Sequence, residues 1–201
     1  MKKILLLSVV LLLVNGLNAQ TYYKSFDHHD ISLSYGLFIP DQFKNFSSKT
    51  LDGLYPEELY VRDRYSSPGT LFLSYRHIFR NEYMMWGITF GMSSSSGKIY
   101  NVGQYEGDIR RKFYTGAIEW EYRYYNRGPI QVYSGLGLGF TFGNETFTPN
   151  EIKQESTGTI ANVAFQVNAV GLRVGKRLGG YIEFGYGYKG VINLGFSAQL
   201  F

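Results

Sequence analysis

Six charged residues lie within segments that otherwise alternate between apolar and small or polar residues. All six fall on the non-apolar phase of their segments: Arg76, Glu119, Glu121, Arg123, Arg173 and Glu183. Three are basic and three are acidic, and charges inside a fold are costly unless they are paired. We therefore predict an ion-pair network that plugs a narrow interior. A gated path for ions is the alternative that the same residues leave open.

The pair Arg173 and Glu183 allows a prediction of strand register. Both residues are equally far from Leu178, which lies in a predicted tight turn, so the two side chains should face each other directly across neighbouring strands. The apolar phase of the segment 159–175 also slips by one residue. Such a slip predicts a β-bulge at 170–171.

Three histidines are the candidates for a catalytic base: His28, His29 and His77. A hydrolytic site needs a serine and an acidic partner beside its histidine, and none of the three has a serine suitably placed in the pattern. The side chains of "HHD" at 28–30 would point alternately apart on an extended chain, which argues against a metal site. We therefore expect no catalytic and no metal-binding residues.

One glycine motif of the sequence is a candidate for nucleotide binding. The stretch "GYGYKG" at 185–190 has the glycine spacing of a dinucleotide-binding loop. Such a loop binds phosphate only where a helix follows it, and here another alternating segment follows. We expect no cofactor.

Eight segments of the chain show the two-residue alternation of half-buried strands. They cover residues 30–39, 70–80, 83–93, 113–125, 130–142, 159–175, 181–188 and 192–201. In the segment 181–188, the apolar phase places Tyr188 on the outer face together with Phe184. The pattern predicts an all-β fold, an eight-stranded antiparallel up-and-down transmembrane β-barrel.

The connections between these segments alternate in length. Tight turns are predicted around "RNE", "NRGP", "KRLGG" and "YKG", whereas long polar loops are predicted at 40–69, 94–111 and 143–158. Within the first loop, "PEELYVRDRY" at 56–65 indicates one or two helical turns. Short turns on one side and long loops on the other are typical of membrane barrels.

The N-terminal residues 1–19 read as a cleaved signal peptide. Lys2 and Lys3 precede an apolar run that is too short to span a bilayer as a helix, and small residues follow it. The formal charge falls from +4 to +2 when the two lysines are removed, which gives no electrostatic reason to expect a nucleic-acid partner. Residues 20–201 are then one domain, and the chain contains no cysteine.

The alternative fold is a soluble barrel, in which the apolar faces point inward. The outer surface would then consist largely of Gly, Ser, Thr and Tyr, with Lys98 and Lys112 as the only lysines between residues 70 and 152. Soluble β-proteins normally carry more charge on their surfaces and edges. The composition, with 17% aromatic residues, therefore favours the membrane barrel.

The leader, the eight alternating segments and the terminal aromatic resemble the small eight-stranded outer-membrane β-barrel proteins of Gram-negative bacteria. The resemblance implies insertion by the barrel-assembly machinery through a C-terminal signal, for which the matching residues are Phe196, Leu200 and Phe201. It also implies periplasmic termini, extracellular long loops, and outer-membrane lipid and lipopolysaccharide as surroundings. Phe201 departs from the usual ending because it is out of phase with Phe196 and Leu200.

The function expected from these observations is not enzymatic. We expect an outer-membrane protein with a plugged, ion-paired lumen that acts structurally, or as an accessory subunit that binds an outer-membrane protein partner through its extracellular loops. A narrow channel for small or apolar solutes is the first alternative. A lipid-modifying enzyme that depends on His77 is the second.

Overall fold

A computed structural model describes residues 28–39, 60–66, 69–101, 104–150 and 156–200. The strands in this part of the chain are β1 (His28–Leu37), β2 (Tyr60–Ser66), β3 (Thr70–Ile78), β4 (Met84–Asn101), β5 (Gln104–Arg127), β6 (Ile130–Pro149), β7 (Ser156–Gly175), β8 (Leu178–Gly187) and β9 (Ile192–Leu200). The predicted signal peptide, Phe201 and most of the first predicted loop lie outside the described residues. Among the described residues, no helix is long and apolar enough to cross a bilayer.

Eight of the strands form a closed antiparallel ring. Their order is β4, β3, β1, β9, β8, β7, β6 and β5, and the ring closes because β5 also pairs with β4. The ninth strand, β2, pairs with residues 96–101 of β4, on the edge where β3 pairs with residues 85–93. It therefore extends the line of β3 without adding a position to the ring. The predicted all-β, antiparallel, eight-stranded arrangement is confirmed.

The two faces of the ring have opposite character. On β6, Leu136 and Leu138 are 63% and 65% exposed, whereas the alternating residues Gly137 and Thr141 are buried. The buried face is the inside of the ring, because Arg76 of β3 meets side chains of β5 and β8 there, and these strands are not its neighbours. In this part of the ring the exposed large apolar side chains thus point outward, whereas the inner face carries the buried charges together with some buried apolar residues such as Phe72.

Strands β4, β5 and β6 are much longer than the alternating segments predicted and β7 is slightly longer, and the predicted loops at 94–111 and 143–158 are wrong over most of their length. The β4–β5 ladder continues to the pair Asn101 and Gln104, and the β6–β7 ladder continues to Phe147 and Ser156. In these extensions, serine, threonine and charged residues take the outer positions, which makes the segments polar on average. Their inner face still carries a buried apolar cluster of Ile99, Ile109 and Phe147.

The helical turns predicted at 56–65 are also wrong where they can be compared, because residues 60–66 form β2. The stretch contains a valine and two tyrosines, which favour a strand when an unpaired edge is available. Here the outer part of β4 supplies that edge.

The tight turns fall where the sequence predicts them, at 79–83, 128–129, 176–177 and 188–191. In the β5–β6 turn Gly128 has a φ of 58°, a left-handed conformation that glycine adopts without steric cost. The register between β7 and β8 shifts between Asn168 and Val170. The predicted bulge is therefore present, one residue earlier than expected.

Candidate functional site

The inside of the ring holds a network of buried charges centred on Arg76. Its Nε atom donates to Glu121 Oε1 at 3.1 Å, Nη1 to Ser32 Oγ at 2.9 Å, and Nη2 to Glu183 Oε1 at 3.2 Å. These partners come from β5, β1 and β8. One guanidinium group thus joins three strands that do not pair with one another, which its planar fork of donors allows.

Two further carboxylates lie within ion-pair distance of the same guanidinium. Asp30 Oδ1 is 3.6 Å from Nη1, and Glu119 Oε2 is 3.9 Å from Nη2. Both acids are buried. Because one cation is surrounded by several anions, the network needs further cations to approach neutrality.

Lys189 supplies one of these cations, although sequence reasoning did not select it. Its Nζ atom lies 2.8 Å from Glu119 Oε2 and 3.5 Å from Glu183 Oε2, and the residue is fully buried. It belongs to the tight turn between β8 and β9, and turn lysines normally extend into water. Only the position of that turn over the mouth of the ring turns this lysine inward.

The neighbouring Tyr188 corrects the prediction for this segment. The alternation predicts it on the outer face, but it is buried and its hydroxyl donates to Glu119 Oε1 at 2.6 Å. The preceding Gly187 has a φ of 145°, so the two-residue alternation of β8 ends there. The turn can therefore place Tyr188 and Lys189 on the inner side together.

Glu183 is the best satisfied acid of the network. Besides Arg76 and Lys189, its carboxylate accepts from Tyr133 Oη at 2.9 Å and from Asn193 Nδ2 at 2.7 Å. These two donors come from β6 and β9. Charge-assisted hydrogen bonds of this kind are about twice as strong as neutral ones.

Arg173 is buried but does not face Glu183, so this register prediction is wrong. Arg173 pairs with Tyr181, and Glu183 pairs with Gly171, because Gly175 pairs with Gly179 and the turn is centred before Leu178. The Nε atom of Arg173 donates to Ser197 Oγ at 2.6 Å, and the Nη atoms of Arg173 donate to backbone oxygens of the β7–β8 turn. An ion-pair contact reaches Asp30 at 3.8 Å.

Arg123 lies at the short-turn end of the interior. Its Nη1 donates to the backbone oxygen of Glu82 at 3.4 Å, and its Nη2 contacts Met85 Sδ at 2.9 Å. The predicted interior residues are therefore all buried, but Arg123 and Arg173 bind mainly backbone and neutral groups, whereas Arg76 holds the acids together.

A further ion pair, separate from the network around Arg76, lies in the extensions of β5 and β6, where the sequence predicts loops. Arg111 Nε donates to Glu145 Oε2, and both residues are buried. The described residues then bury five acids and five bases, which are Asp30, Glu119, Glu121, Glu145, Glu183, Arg76, Arg111, Arg123, Arg173 and Lys189. Equal numbers of carboxylates and of arginine or lysine side chains leave this set of buried groups without net formal charge.

Of the remaining candidate residues, His28 is buried in the phase of Asp30, and the others lie on the outer face. Phe196 and Leu200 are 62% and 50% exposed on the outer face of β9, in the phase predicted for the insertion signal, while Phe201 is outside the described residues. His29 is hydrogen-bonded to Tyr75 at 2.7 Å, and the His77 ring contacts Trp86. In the part of the chain that the structure describes, no group of three or more histidine, aspartate or glutamate side chains could hold a metal ion.

Comparison with models of known protein families and with curated protein sequences finds no match for this chain.

Proposed function

We propose that this protein is a non-enzymatic outer-membrane β-barrel with a lumen closed by ion pairs, which acts structurally or as an accessory subunit through its extracellular extensions. The observation that carries the proposal is the inverted arrangement of the ring. Apolar side chains cover its outside, whereas paired charges fill its inside. A bilayer accommodates this arrangement, since lipid solvates the outer face and the interior charges solvate one another.

The outer apolar surface is too extensive for a water-soluble monomer. Ile118, Leu138 and Phe140 are each more than half exposed, and monomeric soluble proteins rarely expose contiguous apolar patches larger than a few hundred Å². On β6 the outward apolar residues run from Ile130 to Phe142. For a strand tilted by about 40°, that run spans on the order of 30 Å, close to the hydrocarbon thickness of a bilayer.

Exposed tyrosines are more numerous at the short-turn end of this surface than elsewhere on it. The exposed amphipathic aromatic side chains at that end are Tyr83, Trp86, Tyr122, Tyr124 and Tyr125, whereas the other exposed tyrosines of the outer face are Tyr35, Tyr114 and Tyr186. Amphipathic rings at such a boundary are typical of the aromatic girdles of membrane barrels. The short-turn end would then meet the periplasmic interface.

The two tryptophans of the chain test the membrane position directly. Trp86 and Trp120 are direct partners on β4 and β5, and both are exposed on the outer face. In vesicles of brominated phosphatidylcholine, we expect deep bromines to quench the variant W86F more strongly than shallow ones, because its remaining Trp120 is paired with Leu136, the midpoint of the apolar run from Ile130 to Phe142. In the variant W86F/W120F/F142W, shallow bromines should quench more strongly, because Phe142 is the last residue of that run. Equal emission with and without bromine would contradict the proposal.

The closed lumen is tested separately by electrical recording. A barrel plugged by paired charges should give no steady single-channel current when purified protein is inserted into planar bilayers. Sustained currents in the unmodified protein would favour the alternative, a narrow channel.

The accessory role depends on the extensions of β4 to β7. Ser96 and Arg110 are direct partners, so residues 97–109 can be replaced by an Asn-Gly turn without changing the register below. We expect a partner protein to co-purify from native outer membranes with the full chain and not with this shortened variant. An unchanged set of co-purifying proteins would argue against a role for this extension.

A further inference from the structure

The longest run of basic residues, Arg110 to Lys112, is divided by the alternation of β5. Arg111 points inward and is paired with Glu145. Arg110 and Lys112 are exposed on the outer face. Glu145, which neutralises Arg111, is therefore on the opposite face of the sheet from Arg110 and Lys112.

The groups around the two outward cations are uncharged and polar. Lys112 is flanked by Ser94 on β4 and Asn144 on β6. Arg110 is flanked in the same way by Ser96 and Thr146. Two cations thus lie two residues apart on one face, among hydroxyl and amide groups that donate and accept hydrogen bonds.

The next outward-facing pair beyond Arg110, further from the short turns, consists of Lys98 and Asp108, which are direct partners. These two opposite charges leave that part of the surface close to neutral. The Lys98 ammonium also lies over the Tyr105 ring at 5.4 Å. The positive charge of this surface is therefore concentrated at Arg110 and Lys112.

The row on the other side of the cations is the last row of the apolar surface. Met92, Tyr114 and Phe142 are 54%, 48% and 55% exposed and occupy adjacent positions on β4, β5 and β6. Tyr114 is two residues from Lys112, a distance of about 7 Å along the strand. The cations therefore lie where the outer apolar surface ends, at the depth of the lipid headgroups if this surface is embedded in a bilayer.

We propose that Arg110 and Lys112 bind the phosphorylated sugar headgroup of a lipid in the outer leaflet, as in lipopolysaccharide. The cations would pair with phosphate, Ser94, Ser96 and Asn144 would bind sugar hydroxyls, and the acyl chains would lie on the apolar row below. A lipid explains the position better than a soluble phosphate does, because the cationic row continues the apolar surface without a break. This inference rests on the membrane location proposed above.

The test compares two variants that lose the same charge from opposite ends of the ring. R110S/K112S removes the proposed site, and R80S/R127S removes two exposed cations near the short turns. Each is placed in nanodiscs of phosphatidylcholine with a small fraction of bisphosphorylated lipid A, and bound lipid A is counted by native mass spectrometry. We expect binding about thirtyfold weaker for R110S/K112S, from the usual contribution of a cation near a charged lipid surface, and unchanged for R80S/R127S.

Two further arms identify the ligand. Dephosphorylated lipid A should bind the unmodified protein as weakly as the variant binds the phosphorylated form, and millimolar inorganic phosphate should not displace lipid A. Equal binding by R110S/K112S and the unmodified protein, equal losses in both variants, or displacement by inorganic phosphate would overturn the inference. Tryptophan quenching is measured in parallel nanodiscs made with brominated phosphatidylcholine, so that its absence would reject the membrane location and its presence without a binding difference would reject the lipid site alone.

Discussion

The Nζ atom of Lys189 lies 2.8 Å from Oε2 of Glu119, although 70 positions separate the two residues in the chain. Lys189 is in the β8–β9 turn, and Glu119 is on β5, which is three positions from β8 in the ring order. The contact thus fastens a turn at the mouth of the ring to the wall across its interior. Both side chains are buried, so each offsets part of the cost of burying the other.

Replacing Lys189 by methionine should destabilise the protein strongly. The substitution leaves Glu119 and Glu183 with one cation fewer, and removal of one partner of a buried ion pair typically costs about 3–5 kcal/mol. The free energy of unfolding, measured by urea titration in lipid vesicles, reports the change. Lys98→Met, on an exposed lysine, should stay within about 0.5 kcal/mol of the unmodified protein.

A double-mutant cycle separates pairing from other effects of the same change. Adding Glu119→Gln to Lys189→Met should recover part of the loss, because the acid is then neutral as well. Strictly additive effects would mean that Lys189 and Glu119 do not interact energetically.

Replacing Arg76 by lysine should also be costly, although it preserves the charge. The guanidinium donates to Ser32, Glu121 and Glu183 in three directions, whereas an ammonium group on one stem cannot reach all three. Loss of one or two charge-assisted hydrogen bonds predicts a destabilisation of about 2–4 kcal/mol in the urea titration. Arg127→Lys, on an exposed residue, is the control and should have little effect; equal stability of both variants would argue against this role of Arg76.

Gly171→Ala should disturb the interior without changing any charge. A Cβ atom at Gly171 would lie 2.5 Å from the Tyr133 ring, whose hydroxyl donates to Glu183. The ring must move, and overpacking of this kind costs about 1–3 kcal/mol. At Gly116, on the outer face, the nearest atom to a new Cβ would be 3.8 Å away. The midpoint of thermal unfolding in detergent should therefore be lower for Gly171→Ala than for the unmodified protein. The midpoint for Gly116→Ala should be almost unchanged.

Leu138→Arg distinguishes a lipid-facing surface from a water-facing one. Leu138 is 65% exposed, so an arginine there should cost almost nothing if water surrounds the ring. In a bilayer, an arginine near the midplane of a barrel surface costs about 2–4 kcal/mol. Thr159→Arg, on an exposed residue beyond the apolar surface, should cost at most about 1 kcal/mol in the same vesicles. A small cost at both positions would contradict the membrane location.

Much of the fold follows from local alternation. Side chains on a strand point alternately to its two faces, so the sequence predicts which residues share a face even before their partners are known. Arg76, Glu119 and Glu183 could be assigned to the interior for this reason, and Phe196 and Leu200 to the outside. The tight turns also carry local signals, such as Gly128 in "NRGP".

The extensions of β4 to β7 could not be recognised in the same way. The run of serines that ends near Ser96 is polar on average, and polar strands resemble loops when only hydrophobicity is considered. Ile99 and Ile109 are isolated apolar residues in these extensions, and they become a buried cluster only when the hairpin pairs and Phe147 of β6 joins it.

What the sequence determined by itself is the face of each strand residue, because the side-chain period of a strand is a local property of the backbone. Which acid meets which base was decided by ring closure, which brings β3, β5 and β8 together across the interior. The centre of the β7–β8 turn moved Arg173 away from Glu183, and the β8–β9 turn brought Lys189 inward. These contacts depend on the positions of two turns and on the closure of eight strands, and no local pattern encodes them.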